Sequence, residues 1–168
     1  MATERRGGDP LSLDEQLCFS LYAASRAMTG LYRELLADLG LTYPQYLAML
    51  VLWERGTLPV KDLGAALRLD SGTLSPLLRR LEAGGLVRRE RATDDERVVR
   101  IALTDEGAAL RDRATGIPFR VLCATGIPED EAGGLRDLLD RITASVGAAA
   151  SSMAADRSAA TRPERETS

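Results

Sequence analysis

Apolar residues recur along this chain at helical spacing, interrupted once by two short alternating runs. Between 70 and 84, Leu74, Leu77, Leu78 and Leu81 fall at i, i+3, i+4 and i+7, which predicts a helix with one inward apolar face. Ser75, Pro76 and Arg79 lie on the other side, flanked by Thr73 and Arg80. Short hydroxyls beside guanidinium groups suit phosphate oxygens and guanine edges, so this is a candidate helix for the DNA major groove. An ordinary amphipathic helix with a solvated basic side shows the same pattern, and the flanking elements decide between them.

Residues 1–10 read as a loose arm. Ser12 and Glu15 have capping-box spacing and predict a long helix over about 12–39, stopped at Gly40 by a left-handed cap. Roughly 27 residues would make it about 40 Å long, more than a small domain needs, so part of it is expected against a second subunit. Thr42 and Gln45 form a second capping box with Pro44 in the first turn, heading a helix that runs through Trp53 to Gly56 and is apolar nearly all round. Pro59 opens a third, short helix with Val60, Leu63 and Leu67 on one face, and Gly64 there permits close approach. A short helix, a tight turn and a helix with a basic outer face make a helix-turn-helix. Pro76 is awkward: it sits in the second turn if the helix starts after Asp70, and harmlessly early if Thr73 is the cap.

Two extended runs follow, 86–91 and 98–103, the second alternating Val99, Ile101 and Leu103 with Val98, Arg100 and Ala102. The polar stretch 92–97 between them predicts a hairpin tip, and a hairpin directly after a helix-turn-helix is a wing. Arg97 near the tip, beside Asp95, is placed to reach a minor groove; a solvated, salt-bridged hairpin is the plainer alternative. Thr104 caps a further helix that Pro118 should kink or end, and Pro128 starts the last one, with Leu135, Leu138, Leu139, Ile142 and Val146 in one stripe. The tail 148–168 reads as unstructured. The expected class is mainly α with a small β-hairpin wing, a winged helix-turn-helix. Its domain spans 11–147, with a DNA-binding lobe over about 57–103. Helices at 12–39 and 104–147 are expected to intertwine two copies into a homodimer.

Composition narrows the chemistry. The chain of 168 residues carries a net charge of −3, which excludes a generally basic nucleic-acid binder. Between 71 and 91, however, Arg79, Arg80, Arg88, Arg89 and Arg91 stand against Glu82 and Glu90, so positive charge concentrates where the groove helix is expected. There are no histidines, which removes histidine bases, Ser/His and Cys/His pairs and histidine metal ligands; no metal or cofactor is expected. No apolar run is long enough to span a bilayer and the first residues lack a signal-peptide core, so a cytoplasmic protein without a membrane partner is expected. In that compartment the two cysteines are buried hydrophobes or redox groups, not a static disulfide.

The order of elements resembles the MarR-type winged-helix regulators. The run Asp95-Glu96-Arg97-Val98-Val99-Arg100-Ile101-Ala102-Leu103-Thr104 fits their D-x-R-x-x-x-I/L-x-L-T wing signature. Three blocks, LDEQLCFSLYAASRAMTGLY, LTYPQYLAMLVLW and LDSGTLSPLLRRLEAGGLV, are similar to the organic hydroperoxide resistance regulators (OhrR) in particular. The likeness covers about residues 11–146. It implies that Cys18 is the peroxide-reactive cysteine, with Tyr32 and Tyr43 of the other subunit as hydroxyl partners and Tyr22 at a third associated position. It also implies that Cys123 resolves the oxidised thiol, as in the two-cysteine members. DNA contacts carry over to the groove helix, with Ser71, Thr73, Ser75, Pro76, Arg79 and Arg80, and to Arg97 of the wing; Arg88 and Arg89 in the basic stretch and Asp95 beside Arg97 are further candidates by position. A transcriptional repressor on near-palindromic double-stranded DNA, with an organic hydroperoxide as inducer, is the function this implies.

The residues themselves bear on that chemistry. Cys18, Tyr22, Ser25, Thr29, Tyr32 and Leu36 share one helix face. Tyr32 lies about 21 Å along the axis from Cys18, so the two meet only if a partner helix crosses that face. Only a thiolate attacks a peroxide, and the charged neighbours of Cys18, Asp14 and Glu15, oppose ionisation, which leaves tyrosine hydroxyls as the donors able to stabilise it. Two rivals stand beside this reading. One is a MarR-type repressor released by reversible binding of a small aromatic ligand. The other is a thiol peroxidase, for which the sequence offers no proton donor or activating arginine near Cys18; the chain is expected not to be an enzyme.

Overall fold

The computed structural model describes Asp9 and residues 11–91 and 98–160. The chain divides into two compact units, Met1–Val121 and Leu122–Ser168. The first contains α1 (Leu17–Leu36), α2 (Tyr43–Arg55), β1 (Leu58–Pro59), α3 (Val60–Leu67), α4 (Ser71–Ala83), β2 (Val87–Arg91), β3 (Val99–Leu103) and α5 (Asp105–Ala114). Helix α6 (Ile117–Thr125) begins in that unit, and α7 (Glu129–Ala160) makes up most of the second.

The first helix starts later than its capping pattern predicts. Ser12 heads only a short 3-10 turn, Leu13–Glu15, and its hydroxyl caps nothing. Gln16 instead donates its amide to the Ser12 carbonyl at 3.2 Å and stands as the extended residue before α1. At the far end α1 tightens into a 3-10 turn, Ala37–Leu39, closed by Gly40 at a φ of 64°, the left-handed cap expected there. The second capping box forms through Gln45, whose Oε1 accepts from the Thr42 N–H at 2.8 Å and from its hydroxyl at 2.9 Å. That pairing lets Gln45 be buried beside Tyr46, Ala48, Met49 and Leu52, the inward side of α2.

Three strands form an antiparallel sheet in the order β1-β3-β2. The pairing of β2 with β3 sets Val87 opposite Leu103, Arg89 opposite Ile101 and Arg91 opposite Val99, which is the wing hairpin; its tip, with Asp95 and Arg97, lies outside the described residues. The third strand was not predicted. Leu58 pairs with Ile101 and Pro59 with Arg100, a two-residue edge too short to show alternation, where proline's missing N–H costs little. Ala102 is buried against the expected alternation; across the ladder from it, Arg88 donates to the Leu103 carbonyl.

Leu36, Tyr46, Met49, Leu52, Leu63, Leu78, Leu81 and Ile101 are the largest fully buried side chains. Each contributes about 1.5–3 kcal/mol of apolar burial, enough together to hold the helix-turn-helix on the sheet. The chain after the wing re-enters through Thr104, whose Oγ1 accepts from the Gly107 N–H at 3.0 Å and donates to the Gly85 carbonyl. Gly107 is pressed so closely on the Leu86 carbonyl that a Cβ would collide with it. Helix α5 ends at Ala114, two residues of turn follow, and Pro118 sits in the first turn of α6, so the break falls where it was expected.

The second unit corrects one boundary. Structure was expected to end at about 148, yet α7 continues to Ala160. The segment is rich in alanine, the strongest helix former, and holds neither proline nor glycine between 148 and 160. No residue from 129 to 157 is buried; Leu135, Leu138, Leu139, Val146 and Met153 are all exposed.

Candidate thiol and DNA-reading sites

The turn between α3 and α4 spans Arg68 to Asp70 and is built for closeness. A Cβ on Gly64 would stand 3.2 Å from both the Leu69 carbonyl and a Leu74 methyl, so the small residue lets the two helices meet. Arg68 holds a φ of 54° at the end of α3, a left-handed position unusual for a side chain bearing residue. Asp70 then caps α4: its carboxylate accepts the Thr73 N–H at 2.9 Å and the Thr73 hydroxyl at 3.2 Å. Those bonds, the backbone one foremost, hold the Asp70 carboxyl below its ordinary pKa. Pro76 therefore lies inside the helix, where it takes the backbone bond to Gly72 out of the ladder.

Four leucines, 74, 77, 78 and 81, are buried, and Ser71, Thr73, Pro76, Arg79 and Arg80 are exposed on the outer side of α4. Ser75 was placed with that outer row from the sequence. It is instead half-buried, at the edge of a cleft of about 620 Å³ shared with Val60, Leu78 and Arg89. Its position one turn before Leu78 turns it toward the sheet. The strand arginines are engaged within the chain: Arg88 Nε pairs with Glu90 at 2.6 Å and its guanidinium donates to the Leu103 carbonyl, while Arg89 Nε meets Glu82 of α4 at 3.4 Å. Both remain partly exposed, but their charge is shared with carboxylates that the sequence count only subtracted.

Cys18 is exposed near the start of α1, beside Leu17, Phe19 and Tyr22, which are exposed as well. Tyr22 accepts a hydrogen bond from Arg26 at 3.2 Å, with the guanidinium 5.7 Å from its ring centre. Tyr32 and Tyr43 are brought together: their rings stack with centroids 4.0 Å apart and planes 18° from parallel. Burial, then the neighbouring phenols Tyr43 and Tyr46, push the Tyr32 hydroxyl up to about 12, so it stays a protonated donor. Within one chain this pair and Cys18 do not meet, because Tyr32 stands fourteen positions after Cys18 on α1, about 21 Å along the axis. Cys123, on α6, is exposed.

Two further aromatic residues of α2 belong to the same cluster. Tyr46 is tilted against Tyr32 at 5.8 Å between centroids and meets Trp53 edge-on at 6.2 Å. Trp53 donates its indole N–H to the Gly107 carbonyl at 2.8 Å. The 43, 46, 53 spacing along α2 could have suggested a shared face, but the partner at 107 has no sequence signal.

Comparison with known proteins agrees with this architecture. A family model described as transcriptional regulator SarA/Rot matches residues 30–113. The organic hydroperoxide resistance transcriptional regulator of Bacillus subtilis is 54% identical over 114 residues, 68% of this chain and 78% of that protein. The regulator TtmR of Methylorubrum extorquens is 55% identical over 131 residues, 78% of this chain and 67% of its own. Among solved structures, reduced AbfR bound to DNA superposes with a TM-score of 0.64 at 36% identity, covering 80% of this chain and 93% of that one. AbfR, from Staphylococcus epidermidis, has also been solved overoxidised on DNA and in a disulfide-formed state. The chain belongs to the MarR-type winged-helix, DNA-binding transcriptional regulators, among the organic hydroperoxide resistance regulators.

Proposed function

We propose that this regulator is a homodimeric, cytoplasmic repressor that senses organic hydroperoxides through Cys18. The observation that carries the reading is the Tyr32–Tyr43 stack, whose Tyr32 hydroxyl burial keeps protonated, out of reach of its own Cys18, while that thiol sits on an uncovered apolar face. A second copy crossing this face supplies what is missing, and its two phenol hydroxyls then donate to the Cys18 thiolate. Apolar neighbours Leu17 and Phe19 favour an organic peroxide over a small polar one. Among the described residues no single helix is long and apolar enough to cross a membrane.

The chemistry is a two-electron oxidation. The Cys18 thiolate attacks one peroxide oxygen, the O–O bond breaks, and the alkoxide leaves and takes a proton as the alcohol. The sulfenic acid then condenses with the Cys123 thiol, forming a disulfide and releasing water. That AbfR has been captured on DNA both reduced and overoxidised supports the disulfide, more than oxidation itself, as the releasing step. In the dimer two α4 helices sit about one helical turn of DNA apart, with Arg79 and Arg80 forward, so a modest displacement ends binding. The protein acts once per oxidation and is not a peroxidase.

The test is a titration on the DNA upstream of its own gene, reduced against cumene hydroperoxide-treated, alongside a non-reducing gel. Wild type is expected to form a covalent dimer and to release DNA; Cys18→Ser does neither, and Cys123→Ser forms no disulfide. Release without any disulfide removes the role of Cys123. One observation favours a second reading, reversible ligand control: a cleft of about 500 Å³ lined by Tyr46, Leu50, Trp53, Arg111, Thr115 and Pro118 has room for an aromatic molecule. A Cys18→Ser protein that still responds to its inducer selects that reading.

A further inference from the structure

We propose that Trp53 is the positioning residue through which the tyrosine pair sets the recognition helix and the wing, with its indole N–H on Gly107 as the joint. The inference rests on the redox reading above and adds the route by which it reaches DNA. Helix α2 carries Tyr43 at its first residue and Trp53 near its last, about 15 Å apart along one rigid rod. At one end Tyr43 stacks on Tyr32, and Tyr46 leans on both Tyr32 and Trp53, so the four rings form an unbroken row. At the other end the indole grips the Gly107 carbonyl in the first turn of α5.

Gly107 is where the row meets the DNA-reading parts. Its N–H is held by Thr104, the residue that follows β3, and Thr104 in turn bonds the Gly85 carbonyl between α4 and β2. A Cβ placed on Gly107 would collide with the Leu86 carbonyl, so the two backbones are closely packed there. The Leu86 carbonyl also accepts the Thr104 N–H at 3.1 Å, so both strands of the wing and the end of α4 converge on this point. Formation of the Cys18–Cys123 disulfide draws the sulfur away from the Tyr32 and Tyr43 hydroxyls and re-aims the stack. With α2 rigid, the displacement is delivered by Trp53 to Gly107, and from there to α4 and the wing together. A directional bond at the end of a rod transmits tilt; apolar packing alone would let the end slip.

Trp53→Phe keeps an aromatic ring and deletes only the donor. The reduced variant is expected to bind operator DNA within about threefold of wild type. The factor by which hydroperoxide weakens binding should fall about fivefold to tenfold, the reach of one neutral hydrogen bond. A purely structural tryptophan would instead lower affinity in both states and leave that factor unchanged, which overturns the proposal. If wild type itself holds DNA after oxidation, the redox reading fails and the relay falls with it; wild type that releases beside a variant that releases equally sinks the relay alone. Because Trp53 is the chain's sole tryptophan, a second measurement needs no variant of it. Its emission should change on oxidation of wild type and stay unchanged in Cys18→Ser; constant emission in oxidised wild type, where DNA is released, overturns the proposal even if Trp53→Phe does not fold.

Discussion

The winged lobe and the terminal helices use the same helical periodicity and end in opposite states. In the lobe, Leu63, Leu74, Leu78, Leu81 and Ile101 are almost wholly hidden by neighbours from their own chain. Along the first turns of α1 and the length of α7, Leu17 remains 65% exposed, Tyr22 56% and Val146 62%. Helix α1 contains both conditions, since Leu36 at its end is buried and Met28, Leu31, Tyr32 and Leu35 pack on the core, while its beginning is bare. An apolar stripe states that a helix face will be covered; it does not say which chain provides the cover. The candidate cysteine, Cys18, lies on the uncovered side of that division, and Tyr32 and Tyr43 lie on the covered side.

The sharpest break in this comparison is Gly107→Ala. A methyl there meets the Leu86 carbonyl, part of the backbone and unable to rotate aside. Destabilisation of about 3 kcal/mol or more is expected, read as a fall in the urea midpoint with loss of DNA binding. A variant of wild-type stability would mean that the lobe is less tightly closed than its burial indicates. On the open side, Leu135→Asp with Leu139→Asp puts two charges on the exposed stripe of α7. Self-association should weaken at least about a hundredfold by sedimentation, since each leucine covered in a dimer is worth about 1.5–3 kcal/mol. An undisturbed dimer would remove α7 from the interface.

A third pair of variants tests the division within the basic surface. Arg79 has no side-chain partner among the described residues, whereas Arg89 is paired with Glu82. Arg79→Ala should cost about tenfold to a hundredfold in specific DNA affinity, the range for one good base contact. Arg89→Ala should cost less than about threefold, because an exposed, already paired guanidinium has less to offer DNA. Equal losses would place β2 at the groove as fully as α4.

What was readable beforehand follows from range. The 74, 77, 78, 81 stripe, the Thr42–Gln45 box, Thr104 as a cap and the break at Pro118 are all decided within about one or two helical turns, and each is found in the fold. Ser12 failed as a cap because both N–H groups of the box are taken by backbone carbonyls, Ser12 N–H by Asp9 at 2.7 Å and Glu15 N–H by Ser12 at 3.2 Å. The two-residue strand at Leu58 is defined only by Ile101 across the sheet, and the bond from Trp53 to Gly107 joins residues 54 positions apart, so neither leaves a local trace. For α7 the error was one of weighting: polarity and small side chains were read as disorder where alanine's helix propensity prevailed. In the candidate site, the thiol, the phenols and the outer row of α4 apart from Ser75 were legible by type and spacing. The ion pairs of Arg88 and Arg89 were not, because counting charges ignores which side of a strand each one takes.

The smallest effect separates the covered tyrosines from the bare cysteine by pH. Burial and its phenolic neighbours raise Tyr32 to about 12 in the fold, against an ordinary value near ~10 in the unfolded chain. Below about pH 10 both states hold the proton and the stabilisation from keeping Tyr32 neutral is complete. Between about 10 and 12 the unfolded chain ionises first, so stability falls as pH rises through that window. Urea midpoints at pH 8 and pH 11 should therefore diverge more for wild type than for Tyr32→Phe, which has no proton to lose. Tyr46, raised in the same direction by burial and Tyr43, leaves a residual slope in the variant, so the difference is partial. Identical slopes would mean that the Tyr32 phenol ionises as readily in the fold as out of it. It would then be no more reliable a donor than an exposed tyrosine, and a partner's thiolate would gain nothing from sitting beside the stack.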